Sequence, residues 1–158
     1  MKILVLCTGN SARSILLESI FNTLGDNRVT AYSAGSQPAG RVHPQSIQLL
    51  KSLGHDLSRA RSKSWEEFEG DQAPRMDAVI TVCASAAGET CPIWPGAPIR
   101  AHWGVEDPAA AAAPDWPDAF QAAFDILQRR ASALLAEPFE KMNASDLKAA
   151  FDRAGQID

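Results

Sequence analysis

Long apolar runs, an excess of positive charge and paired cysteines are all missing from this 158-residue sequence, and each absence closes a class of function. No apolar stretch reaches the ~18 residues that a membrane-spanning helix needs. Lysine and arginine number 15 against 19 aspartates and glutamates, a net charge of -4, so the basic face required for nucleic-acid binding is lacking. An anionic ligand would be captured by a local positive pocket and not by the global field. The chain enters a strand-like run directly, without the charged and apolar regions of a signal peptide, and a cytoplasmic protein is expected. The three cysteines form no Cys-x2-Cys pair, so no metal site is expected; in the cytosol they point to thiol chemistry and not to structural disulfides. The Gly-Lys-Ser/Thr of a nucleotide-binding loop and the G-x-G-x-x-G of a dinucleotide site are absent as well.

What is present is an ordinary globular composition, 46% apolar and 22% charged, in a length that one domain (1–158) accounts for. Lys2-Ile3-Leu4-Val5-Leu6 reads as a buried strand. Leu16, Ile20 and Leu24, flanked by Leu17 and Phe21, recur at helical spacing up to Gly25. Residues 28–35 read as a second strand. Pro44 after His43 starts a second helix, with Ile47, Leu50 and Leu53 on one face and Gly54 as the stop. Residues 62–69 allow one or two helical turns, and 78–83 and 98–103 make third and fourth strands, separated by a loop (84–96) expected to be mobile. Five alanines with Pro114 and Pro117 form another loop. The helix after it carries Phe120, Phe124, Leu127, Ala131 and Leu134 on one stripe. Residues 137–158 are expected to be a peripheral helical tail, capped by Asn143 or Ser145. Alternating strands and helices imply an α/β three-layer sandwich: a central four-stranded parallel sheet with helices on both faces. Ligands in such sheets bind beyond the carboxyl ends of the strands, where Cys7, Cys83 and the residues after Trp103 all fall.

The chemistry concentrates in Cys7-Thr8-Gly9-Asn10-Ser11-Ala12-Arg13-Ser14. A cysteine ends the first strand and an arginine follows six positions later in the first turn of a helix. Backbone N–H groups of the small residues between them, the helix dipole and the guanidinium build a pocket for a tetrahedral oxyanion, with a sulfur at its floor. That positive environment is expected to depress the Cys7 pKa and to present a thiolate to a bound oxyanion.

Cys-x5-Arg-Ser on a strand, loop and helix, with Asp107-Pro108 far downstream, resembles the low-molecular-weight protein tyrosine phosphatase fold. Thr81-Val82-Cys83 through Cys91-Pro92-Ile93-Trp94-Pro95, together with His102-Trp103-Gly104-Val105-Glu106-Asp107-Pro108, is similar to the arsenate reductases of that fold. The resemblance extends to about residue 136. It implies that Cys7 attacks arsenic, that Arg13 holds the oxyanion with the loop residues Thr8 to Ser14, and that Asp107 protonates the departing oxygen. It implies further that Cys83 attacks the Cys7–arsenic adduct, releasing arsenite and leaving a Cys7–Cys83 disulfide, and that Cys91 then takes over Cys83. No cofactor would be bound. Thioredoxin, or glutaredoxin with glutathione, would serve as external reductant, and phosphate or sulfate would mimic arsenate in the pocket.

By the same resemblance Ser14 would hydrogen-bond the nucleophilic sulfur and Asn10 would adopt an unusual backbone angle. Some members bind potassium beside this loop. Asn10, Glu18 and Ser33 match three of its ligands, but Lys63 stands at the fourth. No potassium requirement is therefore expected, with Lys63 either in the cation's place or merely solvated. The chain departs from better-known members in one extra residue between Cys83 and Cys91, and in Ala12 where some carry another cysteine. Two rival readings stay open: a phosphotyrosine phosphatase, against which the alanines after Pro108 weigh, and an oxyanion- or redox-sensing binding protein. A monomer is expected.

Overall fold

The structure, a computed structural model, describes residues 1–83 and 99–158. Cys91 and the 84–96 loop lie outside the described residues. Four parallel strands, β1 (Lys2–Leu6), β2 (Thr30–Ala34), β3 (Ala78–Thr81) and β4 (Ile99–His102), form one sheet in the order β2-β1-β3-β4. β1 is apolar without interruption because both of its faces are covered. Ile3 and Val5 join the larger core, while Leu4 and Leu6 join a second cluster with Ala34, Phe68, Met76 and Val79.

Helices α1 (Arg13–Leu24), α2 (Pro44–Ser52), α3 (Trp116–Leu135) and α4 (Ala144–Gly155) supply the larger core. The opposite face is closed by a 3-10 turn at Trp65–Phe68, capped by Ser64. In α3, Phe120, Phe124, Leu127, Ala131 and Leu134 are all buried, as their spacing requires. Pro117 belongs to this helix and not to the preceding loop, because a proline in the first turn removes no intrahelical donor.

Two expectations are corrected. The buried face of α2 is Ser46, Leu49 and Leu50, whereas Ile47 and Leu53 are exposed. Ser46 is drawn inward because its hydroxyl donates to the Ser11 carbonyl at 3.0 Å. The chain end is not peripheral. Asn143 caps α4 by accepting from the Asp146 N–H at 2.8 Å, and Phe151 is fully buried. The buried Trp103 donates its indole N–H to the Phe151 carbonyl at 2.9 Å. A helical pattern in the sequence shows which side is apolar but not what lies opposite it, here the end of β4.

Candidate active site

The order of the strands puts the carboxyl ends of β1 and β3 side by side, with Leu6 paired to Thr81. One step further on, the Val82 N–H donates to the Leu6 carbonyl at 3.0 Å. Cys7 follows Leu6 and Cys83 follows Val82, and both cysteines are buried, Cys7 at 6% and Cys83 at 4% exposure. Cys83 is the largest single influence on the titration of the Cys7 thiol beside it. Thr8 attends the Cys83 sulfur, its N–H donating at 3.4 Å and its hydroxyl oxygen lying 3.6 Å away.

This contact reverses one expectation. The Cys7 pKa is pushed strongly up, first by the hydrogen bond to Cys83 and then by burial. The Arg13 charge and the Gly9 N–H oppose the rise without overcoming it. These surroundings favour the Cys7 thiol over the thiolate.

Three carbonyls of the loop, those of Thr8, Gly9 and Ser11, accept from segments packed around it. Thr8 O accepts from the Gln37 N–H at 3.0 Å, and Gly9 O from the Ala39 N–H at 2.9 Å and the Ser62 hydroxyl at 3.1 Å. Ser11 O accepts from the His43 N–H at 3.0 Å. With these acceptors so engaged, the N–H groups of Asn10, Ser11, Ala12, Arg13 and Ser14 have no partner among the described residues. Donors left over on the inner side of a loop that opens a helix are the construction of an anion cradle. Asn10 sits at φ 46°, as its residue type tolerates. Its side chain is fully committed: Nδ2 donates to Ser14 Oγ at 2.9 Å, and Oδ1 accepts from the Lys63 N–H at 2.9 Å. Ser14, expected to meet the nucleophilic sulfur, is thus engaged by Asn10, and its hydroxyl is fully buried.

Arg13 reaches across the cradle. Its Nη1 donates to the Val105 carbonyl at 3.0 Å, and its Nη2 lies 3.6 Å from Asp107 Oδ2. The Arg13 Nε is buried without an acceptor among the described residues, so the guanidinium keeps a donor in reserve. Asp107 caps the short turn Pro108–Ala110, accepting from the Ala109 N–H at 3.1 Å through Oδ1. The turn engages Oδ1, which leaves Oδ2 facing the Arg13 guanidinium, and the side chain is 44% exposed.

Beneath the loop lies a buried cluster. Lys63 is 6% exposed, and its ammonium donates to Ser33 Oγ at 3.3 Å and to the Arg61 carbonyl at 3.0 Å, 3.8 Å from Glu18 Oε2. Ser33 Oγ in turn donates to Glu18 Oε2. Burial pushes the Glu18 carboxyl up and the Lys63 ammonium down from their ordinary values. Lys63 is therefore no solvated surface cation. Among the described residues, no group of three His, Cys, Asp or Glu side chains could hold a metal ion.

Sequence reasoning missed Gly35 and Val105. A Cβ on Gly35 would lie 2.3 Å from the Thr8 carbonyl oxygen and 2.8 Å from that of Cys7, so only glycine lets the strand pass beneath the loop. Its place at the end of a small-residue run was the available signal. Val105 acts through its carbonyl, which no side-chain pattern reveals.

A sulfur under an oxyanion cradle, at the strand ends of a parallel α/β sheet, defines a phosphatase-type thiol site. The chain belongs to the low molecular weight phosphotyrosine protein phosphatase family, which matches residues 2–145. That match stops within the first turn of α4. Among its relatives, an arsenate reductase of Halalkalibacterium halodurans is 36% identical over 110 residues, covering 70% of this chain and 76% of the relative. One from Brevibacillus brevis is 34% identical over 125 residues, covering 79% and 87%. A solved arsenate reductase in its phosphate-binding state superposes with a TM-score of 0.70 at 29% identity, covering 85% of this chain and 96% of that one.

Proposed function

We propose that this protein reduces arsenate to arsenite, with Cys7 as nucleophile and Cys83 as the second electron-donating thiol. The observation that carries the reading is the placement of two buried cysteines side by side at the ends of neighbouring strands. Ester hydrolysis needs one thiol, whereas reducing As(V) to As(III) takes two electrons, which a pair of thiols supplies.

Arsenate enters the cradle against the N–H groups of Asn10 to Ser14 and the Arg13 guanidinium. Cys7 loses its proton and its sulfur attacks arsenic, while Asp107 gives a proton to the departing oxygen, which leaves as water. The Cys83 thiolate then attacks the Cys7 sulfur. An S–S bond forms, the S–As bond breaks, and its electron pair stays on arsenic, which departs as arsenite. Two thiols have become one disulfide, so the electrons balance. Cys91 exchanges into that disulfide and frees Cys7, and an external thiol reductant of the thioredoxin or glutaredoxin/glutathione type returns the pair to dithiol. The protein acts in this reading as a cytoplasmic monomer. No described helix is long and apolar enough to cross a membrane.

The test is single-turnover arsenite release. Wild type and Cys91→Ser should each release one arsenite per enzyme, after which Cys91→Ser stalls. Cys7→Ser and Cys83→Ser should release none. Hydrolysis of p-nitrophenyl phosphate that is brisk and indifferent to Cys83→Ser would instead assign the protein as a phosphatase.

A further inference from the structure

The acid-bearing segment from Trp103 to Asp107 carries no regular structure, yet Asp107 must be held over the cradle. Two of its tethers come from β3 and the residue after it: the Trp103 N–H donates to the Thr81 carbonyl at 2.7 Å, and the Val105 N–H to the Val82 carbonyl at 3.2 Å. The others come from the far side of the molecule. Arg130, on α3, is 6% exposed and has no salt bridge among the described residues. Its guanidinium is spent on two carbonyls, Nη1 donating to Gly104 at 3.2 Å and Nε to Ile157, just beyond α4, at 2.7 Å. Helix α4 completes the contact through the Trp103–Phe151 bond. It also does so through Gly155, where an added Cβ would lie 2.6 Å from Trp103 Cδ1.

We infer that Arg130 and α4 form a brace that positions Asp107, making Arg130 a positioning residue for proton transfer and α4 a working addition to the family domain. A buried cation is costly unless its donors are satisfied. Packing alone would be served by an apolar side chain at position 130. An arginine is needed to grip two carbonyls on separate segments at once, and one of them lies between Trp103 and Val105. Arg13 holds the same segment from the active-site side, through the Val105 carbonyl. The segment is thus clamped between two guanidiniums on adjoining carbonyls, one from the loop side and one from the side of α4. The inference rests on the proposed role of Asp107 as acid.

The test is a double-mutant cycle on the rate of the first arsenite, in the full chain. Arg130→Met should slow it at least tenfold in the presence of native Asp107, and less than twofold in an Asp107→Asn background. A residue that merely supported the fold would impose the same factor in both. Gly155→Ala, which keeps Arg130 and presses on Trp103 from α4, should behave alike and carries the test if Arg130→Met does not fold. Wild-type rates in both variants, or an undiminished loss in the Asp107→Asn background, overturn the brace while leaving the acid role intact. An Asp107→Asn enzyme as fast as wild type overturns the acid role, and the brace with it.

Discussion

Gly35 and Thr8 approach so closely that a Cβ on the glycine would stand 2.3 Å from the Thr8 carbonyl oxygen. The Gly35 N–H donates to the Lys63 carbonyl at 2.9 Å, so the glycine is fixed from below and cannot retreat. Gly35→Ala should therefore push the loop upward, costing about 1–3 kcal/mol of stability as overpacking does. Phosphate affinity should fall with it. Denaturant unfolding and a phosphate titration check both effects.

Cys83 dominates the titration of Cys7. Its hydrogen bond is the largest cause of the raised pKa, so Cys83→Ala should shift the pH profile of Cys7 alkylation by iodoacetamide to lower pH. The same shift has a consequence for folding. A thiol whose folded pKa lies above its unfolded value of about 9.0 contributes stability below that pH and loses it as pH rises further. Unfolding free energy should therefore decline above pH ~9.0, and decline less steeply in Cys83→Ala. Thermal unfolding across pH 7 to 11 reads the difference.

Lys63 and Glu18 are nearly excluded from water, at 5% and 13% side-chain exposure. Lys63→Met leaves a buried carboxylate without its cation and should cost about 3–5 kcal/mol, part of which Glu18→Gln in the same chain recovers. Because the ammonium is built into the chain, exchanging potassium for sodium should leave wild-type turnover unchanged. Turnover in matched chloride salts is the measurement.

Asp107 Oδ2 lies 3.6 Å from the Arg13 guanidinium. Asp107→Asn should slow arsenite release by ~10²–10⁴-fold, the range general-acid catalysis commands, while phosphate binding is retained or strengthened by loss of the negative charge. Rapid-quench arsenite assays and calorimetric phosphate titration separate the two. Arg13→Ala should abolish phosphate binding and arsenite release together.

The elements legible in the sequence were those whose pattern repeats over many residues. The β1 run, the helix after Arg13 and the α3 stripe of Phe120, Phe124, Leu127, Ala131 and Leu134 each offered several concordant positions. Helix α2 is only nine residues long, and three apolar side chains on it could be read onto the wrong face. The deciding contact there, Ser46 to the Ser11 carbonyl, involves a polar residue that hydrophobic periodicity ignores.

The sequence by itself determined that a loop of small residues follows the first strand, that Arg13 opens the helix after it, and that Cys7 and Cys83 both lie just past strands. Each of these depends on local order along the chain, where strand, loop and helix succeed one another within a few residues. Only the tertiary structure decided that burial and Cys83 favour the Cys7 thiol, that Lys63 is buried against Glu18, and that α4 grips the segment bearing Asp107. Those outcomes come from sheet order and helix packing, which bring together groups far apart in the sequence and set both the dielectric around a charge and the partner of each proton.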